Sequence, residues 1–373
     1  MKPLHTLALA AAVQFAAVGL AESQTRNVQA GAYEAQAQVM ASGLENPWAL
    51  EFLPDGAALI TERPGRMRIL QNGALSQPLK GVPKVFDSGQ GGLLDVALAN
   101  DFATSGTIYF SFAEPGAGTA IARATLVRGD APALQNVRTI FSMDKKTRSS
   151  HHFGSRIVVA PDGNLFFTIG DRGDRPRAQD FGDHAGAVLR IAPDGSIPAD
   201  NPWANGKDAL PEVWSKGHRN PQGAVWDPLT ASLWTVEHGA RGGDEINQPQ
   251  AGLNYGWPVI SYGRHYSGFK IGVGTEAEGY EQPQFYWDPS IAPGGMDVYD
   301  GEMFAEWQGD LLVGALKAQL VARVDRDESG NVLGEERMFE GAFGRIRDVK
   351  VAPDGAVWLV TDESNGAVIR ISR

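Results

Sequence analysis

Beyond residue 33 the chain alternates apolar and polar positions in short runs, and tight-turn tripeptides separate the runs. Pro54-Asp55-Gly56 precedes Ala57 to Thr61, Pro161-Asp162-Gly163 precedes Asn164 to Ile169, and Pro353-Asp354-Gly355 precedes Ala356 to Val360. Asp227-Pro228 ahead of Ser232 to Val236 is a degenerate copy, and Pro193-Asp194-Gly195 keeps the turn with a weaker strand after it. Proline presets φ in such a turn and glycine supplies the positive φ. The flanking β-branched and aromatic residues suit a pleated surface. Each unit therefore predicts a β-hairpin. No long helical period interrupts the series, so the fold class is all-β. Hairpins repeated along the chain predict a radial array, a β-propeller of roughly six to eight blades with four strands each. Two β-sandwiches in tandem are the alternative; the absence of a linker-like shift in mid-chain weighs against it. Two stretches, Arg172 to Gly186 and Gly256 to Trp287, are too long and irregular for hairpin loops. Function concentrates in structured loops of that kind.

The N-terminus reads differently. Lys2 is followed by an apolar stretch from Leu7 to Leu20, broken only by Gln14, with small residues at Gly19 and Ala21. This predicts a secretory signal over residues 1–21, cleaved to leave the protein periplasmic or secreted. A membrane anchor is the alternative, but the run is shorter than the ~20 apolar residues a span needs. Residues 22–33 read as a polar linker and 34–373 as the propeller domain. The 45 glycines and 22 prolines fit many short strands and turns. With no cysteine, an exported chain depends on its core, its topology or a metal. A net charge of −11 argues against nucleic acid, yet leaves room for a few cations around an anionic cofactor. No later segment predicts a membrane span. Monomer and homodimer both remain open.

Four polar clusters offer chemistry. His151-His152-Phe153-Gly154-Ser155-Arg156 leads through a strand pair to Gly170-Asp171-Arg172. A histidine at the start of one strand and an aspartate at the end of its partner can lie side by side as base and orienter. A histidine that merely bonds a loop is the plainer reading. Gly217-His218-Arg219-Asn220-Pro221-Gln222-Gly223 resembles a rigid loop aiming Arg219 inward, where its planar fork suits a carbonyl or carboxylate; a surface turn reads equally well. Glu237-His238-Gly239-Ala240-Arg241-Gly242-Gly243-Asp244-Glu245-Ile246-Asn247, with Asn254-Tyr255-Gly256-Trp257-Pro258 beyond it, supplies the oxygen donors hard cations take, though without EF-hand spacing. An acidic solvated loop is the alternative. Arg345 and Arg347 share one face of an extended segment and, with Lys317, can form an anion site; exposed arginines on a strand are the alternative.

Taken in order, these segments resemble the signatures of soluble PQQ-dependent sugar dehydrogenases, nearer the bacterial aldose sugar dehydrogenase branch. Gly43-Leu44-Glu45-Asn46-Pro47-Trp48-Ala49 and Arg345-Ile346-Arg347-Asp348 fit the same pattern. The resemblance spans nearly the whole mature chain. It implies a six-bladed propeller of four-stranded antiparallel blades holding pyrroloquinoline quinone (PQQ) at one end of its channel. It implies His152 as the general base, Asp171 as its partner, and Arg219 with Asn220 beside the quinone oxygen. Gln90, Tyr266, Lys317, Arg345 and Arg347 match cofactor contacts. The carbonyls of Gly239 and Ala240 match ligands of a calcium ion touching the cofactor, and Glu245 and Tyr255 match a second, structural calcium site. Ala240 stands where the glucose dehydrogenase branch has proline. The implied reaction oxidises an aldose to a lactone and passes electrons to an external acceptor. A calcium-dependent propeller hydrolase, lactonase-like, and a non-catalytic sugar-binding propeller are the competing readings.

Overall fold

The computed structural model describes residues 25–373. The expected signal segment, 1–21, lies outside the described residues. The rest forms six antiparallel blades around an axis. In chain order, blade 1 comprises Pro47–Phe52, Ala58–Glu62, Arg66–Gln71 and Ala74–Leu75; blade 2, Leu93–Leu98, Thr107–Glu114, Gly118–Val127 and Ala133–Ser142; and blade 3, Ile157–Val159, Leu165–Ile169, Ala187–Ile191 and Val213–Lys216. Blade 4 comprises Pro221–Asp227, Ser232–Glu237, Asp244–Asn247 and Phe285–Trp287, and blade 5, Pro293–Val298, Leu311–Ala315, Leu320–Arg326 and Val332–Met338. Blade 6 joins the two ends of the chain: Ile346–Val351, Val357–Thr361 and Gly366–Ser372 are completed by Tyr33–Leu44. The six-bladed expectation is borne out.

Blade 6 departs from it by carrying a fifth strand. Residues 22–33, expected as linker, supply Thr25–Ala30, which pairs antiparallel with the strand from Tyr33 and buries Ala30. Alternation over so few residues is too weak to separate an edge strand from a tether; tertiary pairing decides it.

The first strands of the blades touch one another in a closed ring. Each interface between neighbouring blades carries its own apolar cluster, such as Trp48, Met67, Phe110 and Phe112 between blades 1 and 2. Inside the ring, Arg156 leads into blade 3 and reaches Asp95 of blade 2 at 2.9 Å and Asp348 of blade 6 at 3.2 Å, all three buried. The ring turns the free edges of the inner strands toward the shared axis, where they are short and protected, and Arg156 ties three blades by charge.

The antiparallel order has one consequence for function. The segment entering each inner strand and the end of each second strand lie at the same rim of the ring. The Pro-Asp-Gly turns at Gly56, Gly163 and Gly355 join first to second strands, so they lie at the opposite end; their φ values of 80°, 84° and 80° show why glycine stands there. All four polar clusters map to the first rim.

Candidate active site

His152 precedes the inner strand of blade 3, and Asp171 follows its second strand. Nδ1 of His152 lies 2.6 Å from Oδ1 of Asp171. The aspartate is fully buried, whereas the imidazole keeps 14% exposure toward the rim. The spacing-based pairing across the hairpin thus holds. The backbone of His152 is left-handed, φ 54°, and its N–H donates to the side-chain oxygen of Gln90 at 2.7 Å. Such a conformation in a non-glycine residue persists only where its surroundings over-determine it. Arg172 is part of those surroundings. Its guanidinium sits 3.5 Å over the Phe153 ring and donates to the carbonyls of Ser149 and His151 at 2.7 and 2.8 Å.

Burial is the main influence on His152 and, with Arg219 nearby, holds its pKa below 6.5 against the opposing pull of Asp171. The imidazole is neutral at pH 7. Its Nδ1 faces Asp171 and its Nε2 makes no hydrogen bond among the described residues, so Nε2 is open to accept a proton. Burial works against ionising Asp171, but the bonds from His152 and the Gly173 N–H outweigh it and hold its pKa below the usual value.

Arg219 and Asn220 enter blade 4 beside this pair, and the Arg219 carbonyl accepts the Asp171 N–H at 2.8 Å. Glu237, ending the second strand of blade 4, fixes their backbone: its carboxylate accepts the N–H of Arg219 at 2.5 Å and of Asn220 at 3.3 Å, and a bond from His218 at 2.8 Å. The Arg219 guanidinium donates to the His238 carbonyl at 3.0 Å. The Asn220 side-chain oxygen accepts from Gly154 N–H at 3.1 Å and Gln222 at 3.3 Å, leaving its buried Nδ2 without a partner. Nε of Arg219 and Nε of Arg347 are likewise buried and unpaired.

Arg345 and Arg347 enter blade 6 and converge on Asp362 at 3.2 and 2.9 Å. Arg347 also donates to Gln222 at 2.9 Å, which links it through Asn220 toward His152. Arg345 reaches the Leu316 carbonyl at 3.4 Å, next to exposed Lys317. The expected cationic trio therefore shares one rim. Burial depresses the pKa of Arg347, whereas Asp362, despite burial, is held well below the usual carboxylate range by the two arginines.

The oxygen-rich segment folds as a loop between the second and third strands of blade 4. Glu245 lies beside Glu237; burial, then that neighbouring charge, push its pKa up to about 8. A cavity of about 10 Å³ is lined by Glu237, Gly239, Glu245, Tyr255 and Ser261, among others. The Ala240 carbonyl already accepts the Arg264 N–H at 2.9 Å. The Tyr255 hydroxyl is engaged as well, donating to the Gln248 carbonyl at 2.6 Å and accepting the Gln250 N–H at 3.0 Å, so only its carbonyl remains for a ligand. Among the described residues no group of three or more His, Cys, Asp or Glu side chains is placed to hold a metal. The Tyr266 side chain makes no hydrogen bond among the described residues, and only the residue's carbonyl accepts, from Arg241 at 3.3 Å. Tyr266 is 73% exposed at the tip of a small turn in which Arg264 pairs with Lys270.

The sequence assigns no role to two contributors, Asp362 and, although it lies within a quoted motif, Trp257. Asp362 anchors the arginines, and Trp257 donates its indole N–H to Oδ2 of Asp171 at 2.8 Å. A repeat could have flagged the first. A carboxylate stands at or just past the end of the second strand in five blades, as Glu62, Glu114, Asp171, Glu237 and Asp362.

With this geometry in place, comparison with known proteins is direct. The family model for glucose/sorbosone dehydrogenase matches residues 44–370. The aldose sugar dehydrogenase YliI of Escherichia coli strain K12 is 45% identical over 345 residues, 90% of this chain and 92% of that one. The apo-form crystal structure of the soluble aldose sugar dehydrogenase from Escherichia coli superposes with a TM-score of 0.88 at 44% identity, covering 91% and 99% of the two chains. The PQQ-bound aldose sugar dehydrogenase from Streptomyces coelicolor gives 0.74 at 27% identity, covering 94% and 99%. On these matches the chain belongs to the glucose/sorbosone dehydrogenase family.

Proposed function

We propose that this oxidoreductase oxidises aldose sugars at the anomeric carbon to lactones, with PQQ and calcium bound at the rim and electrons passed to an external acceptor. The observation that carries the reading is the open Nε2 of a carboxylate-bound imidazole at the same rim as the arginine cluster. The donor set suits PQQ. Buried, unpartnered nitrogens of Asn220, Arg219 and Arg347 await acceptors. Arg345, Arg347 and Lys317 would hold its carboxylates, with Arg219, Asn220 and Gln90 toward the quinone. Calcium suits the raised pKa of buried Glu245, because a divalent cation favours a carboxylate in its charged form. The Tyr255 carbonyl would join Glu245 at that structural site, and the carbonyls of Gly239 and Ala240 would hold a separate calcium touching the cofactor.

When bound, PQQ supplies the two-electron acceptor that takes the hydride of the anomeric carbon. The chain supplies the proton chemistry. His152 Nε2 takes the proton of the anomeric hydroxyl. Asp171 fixes the tautomer at Nδ1 and compensates the charge of the imidazolium that results. Arg219 contributes a fixed positive charge, preorganised by the His238 carbonyl, so little reorganisation is needed as negative charge develops. Export and removal of residues 1–21 belong to the same reading; cell fractionation and N-terminal sequencing check them.

The direct experiment adds PQQ and calcium to the purified chain and follows dye reduction with an aldose. Activity should depend on both the quinone and the sugar. If PQQ neither binds nor confers activity, and a lactone is hydrolysed instead, the hydrolase reading replaces this one.

A further inference from the structure

We propose that Trp257 is a positioning residue for the His152–Asp171 pair, its indole N–H setting how strongly the carboxylate holds the imidazole. The inference rests on the reading of His152 as the base. Trp257 is 5% exposed, and its Nε1 donates to Oδ2 of Asp171 at 2.8 Å. The other oxygen, Oδ1, takes His152 Nδ1 at 2.6 Å and the Gly173 N–H at 2.7 Å. The two carboxylate oxygens thus divide their work, one toward the base and one toward the tryptophan.

The indole is held from every side. Its backbone N–H donates to the Gly217 carbonyl at 2.9 Å, and its carbonyl accepts from Gln179 at 2.7 Å. The guanidinium carbons of Arg175 and Arg219 each lie 5.3 Å from its ring, and Ala178, Ala240 and Ile271 pack with it. A buried tryptophan needs some acceptor for its N–H, and any backbone carbonyl satisfies that need. Here the acceptor is the carboxylate behind the base, which makes the bond charge-assisted. A donor on Oδ2 draws charge away from Oδ1 and lowers the basicity of the carboxylate. The pull on the His152 Nδ1–H is then weaker, and the imidazole stays neutral more readily. The charged and titratable groups facing His152 are Asp171, Arg219, His151 and His238; Arg172 also lies near Asp171.

The test follows ring resonances of His152 by NMR as the full chain, without added cofactor, is titrated with acid. In Trp257→Phe the titration midpoint of His152 should move to higher pH, because Asp171 regains basicity. In the PQQ-loaded enzyme the acid limb of kcat/KM should move the same way. If both stay where they are in the parent, whatever the loss in melting temperature, Trp257 only packs and the proposal fails. Should the variant not fold, the parent still decides. The indole N–H resonance of Trp257 should shift with pH in step with His152, and a flat resonance overturns the proposal. The NMR result is independent of sugar oxidation. A chain that shows the coupling but no PQQ-dependent activity fails the functional reading alone.

Discussion

His152 concentrates three constraints in one residue: a left-handed backbone, a bond to Asp171 and an open Nε2. Replacing it by alanine removes the base and leaves the pocket cations in place. Turnover of the loaded enzyme should fall by roughly 10² to 10⁴, the usual range for a general base, with PQQ affinity retained. Steady-state kinetics beside a binding titration separate the two, and full turnover would remove His152 from the mechanism. The pH sign follows from the lowered pKa. Neutral imidazole is the active form, so kcat/KM should be level at neutrality and decline on acidification with a midpoint under 6.5, the ordinary histidine value. The pair itself was legible in the sequence, because both residues flank one hairpin. Asp362 was less so: only its place at the end of a second strand, shared with four other blades, points to it, and its partners Arg345 and Arg347 meet it only through the folding of blade 6.

Among the elements, the strands were the most legible part and the connections the least. The Pro-Asp-Gly turns announce hairpins because proline and glycine act locally. The link between the third and fourth strands of blade 4 is the opposite case. It runs alongside blade 3, where Lys216 bridges to Asn254, and then crosses the rim to place Trp257 against Asp171. No periodicity encodes such a path. Neighbouring elements are also joined by charge. Asp227, ending the inner strand of blade 4, meets Arg326 on the third strand of blade 5 at 2.8 Å, both side chains fully buried. Asp227→Ala leaves a buried guanidinium without its counterion and should cost about 3–5 kcal/mol, read from urea unfolding. A loss below about 1 kcal/mol would mean that water reaches the arginine and screens it, as at exposed pairs.

At the scale of the whole molecule, ring closure is what creates the site. Segments entering blades 3, 4 and 6 lie far apart in sequence, yet antiparallel order delivers them all to one rim. Calcium is the further variable at this scale. A cation that binds only the folded chain, supplied at a hundredfold excess over its Kd, should raise the unfolding free energy by about 2.7 kcal/mol, and a chelator should reverse the gain. An unchanged melt across that range would take calcium out of the reading.

The all-β class, the hairpin units and the residue types of the rim are written in the chain itself, because turn chemistry and strand alternation act over a few neighbours. Resemblance in the ordered motifs added the blade count and the roles of His152, Asp171 and Arg219. That Thr25–Ala30 is a strand and that Asp362 gathers the arginines follows from contacts made only in the folded ring. The fold also leaves the Tyr266 side chain exposed and sets the Trp257 indole against Asp171. Those are contacts between distant segments, and their energies exist only once the ring has closed.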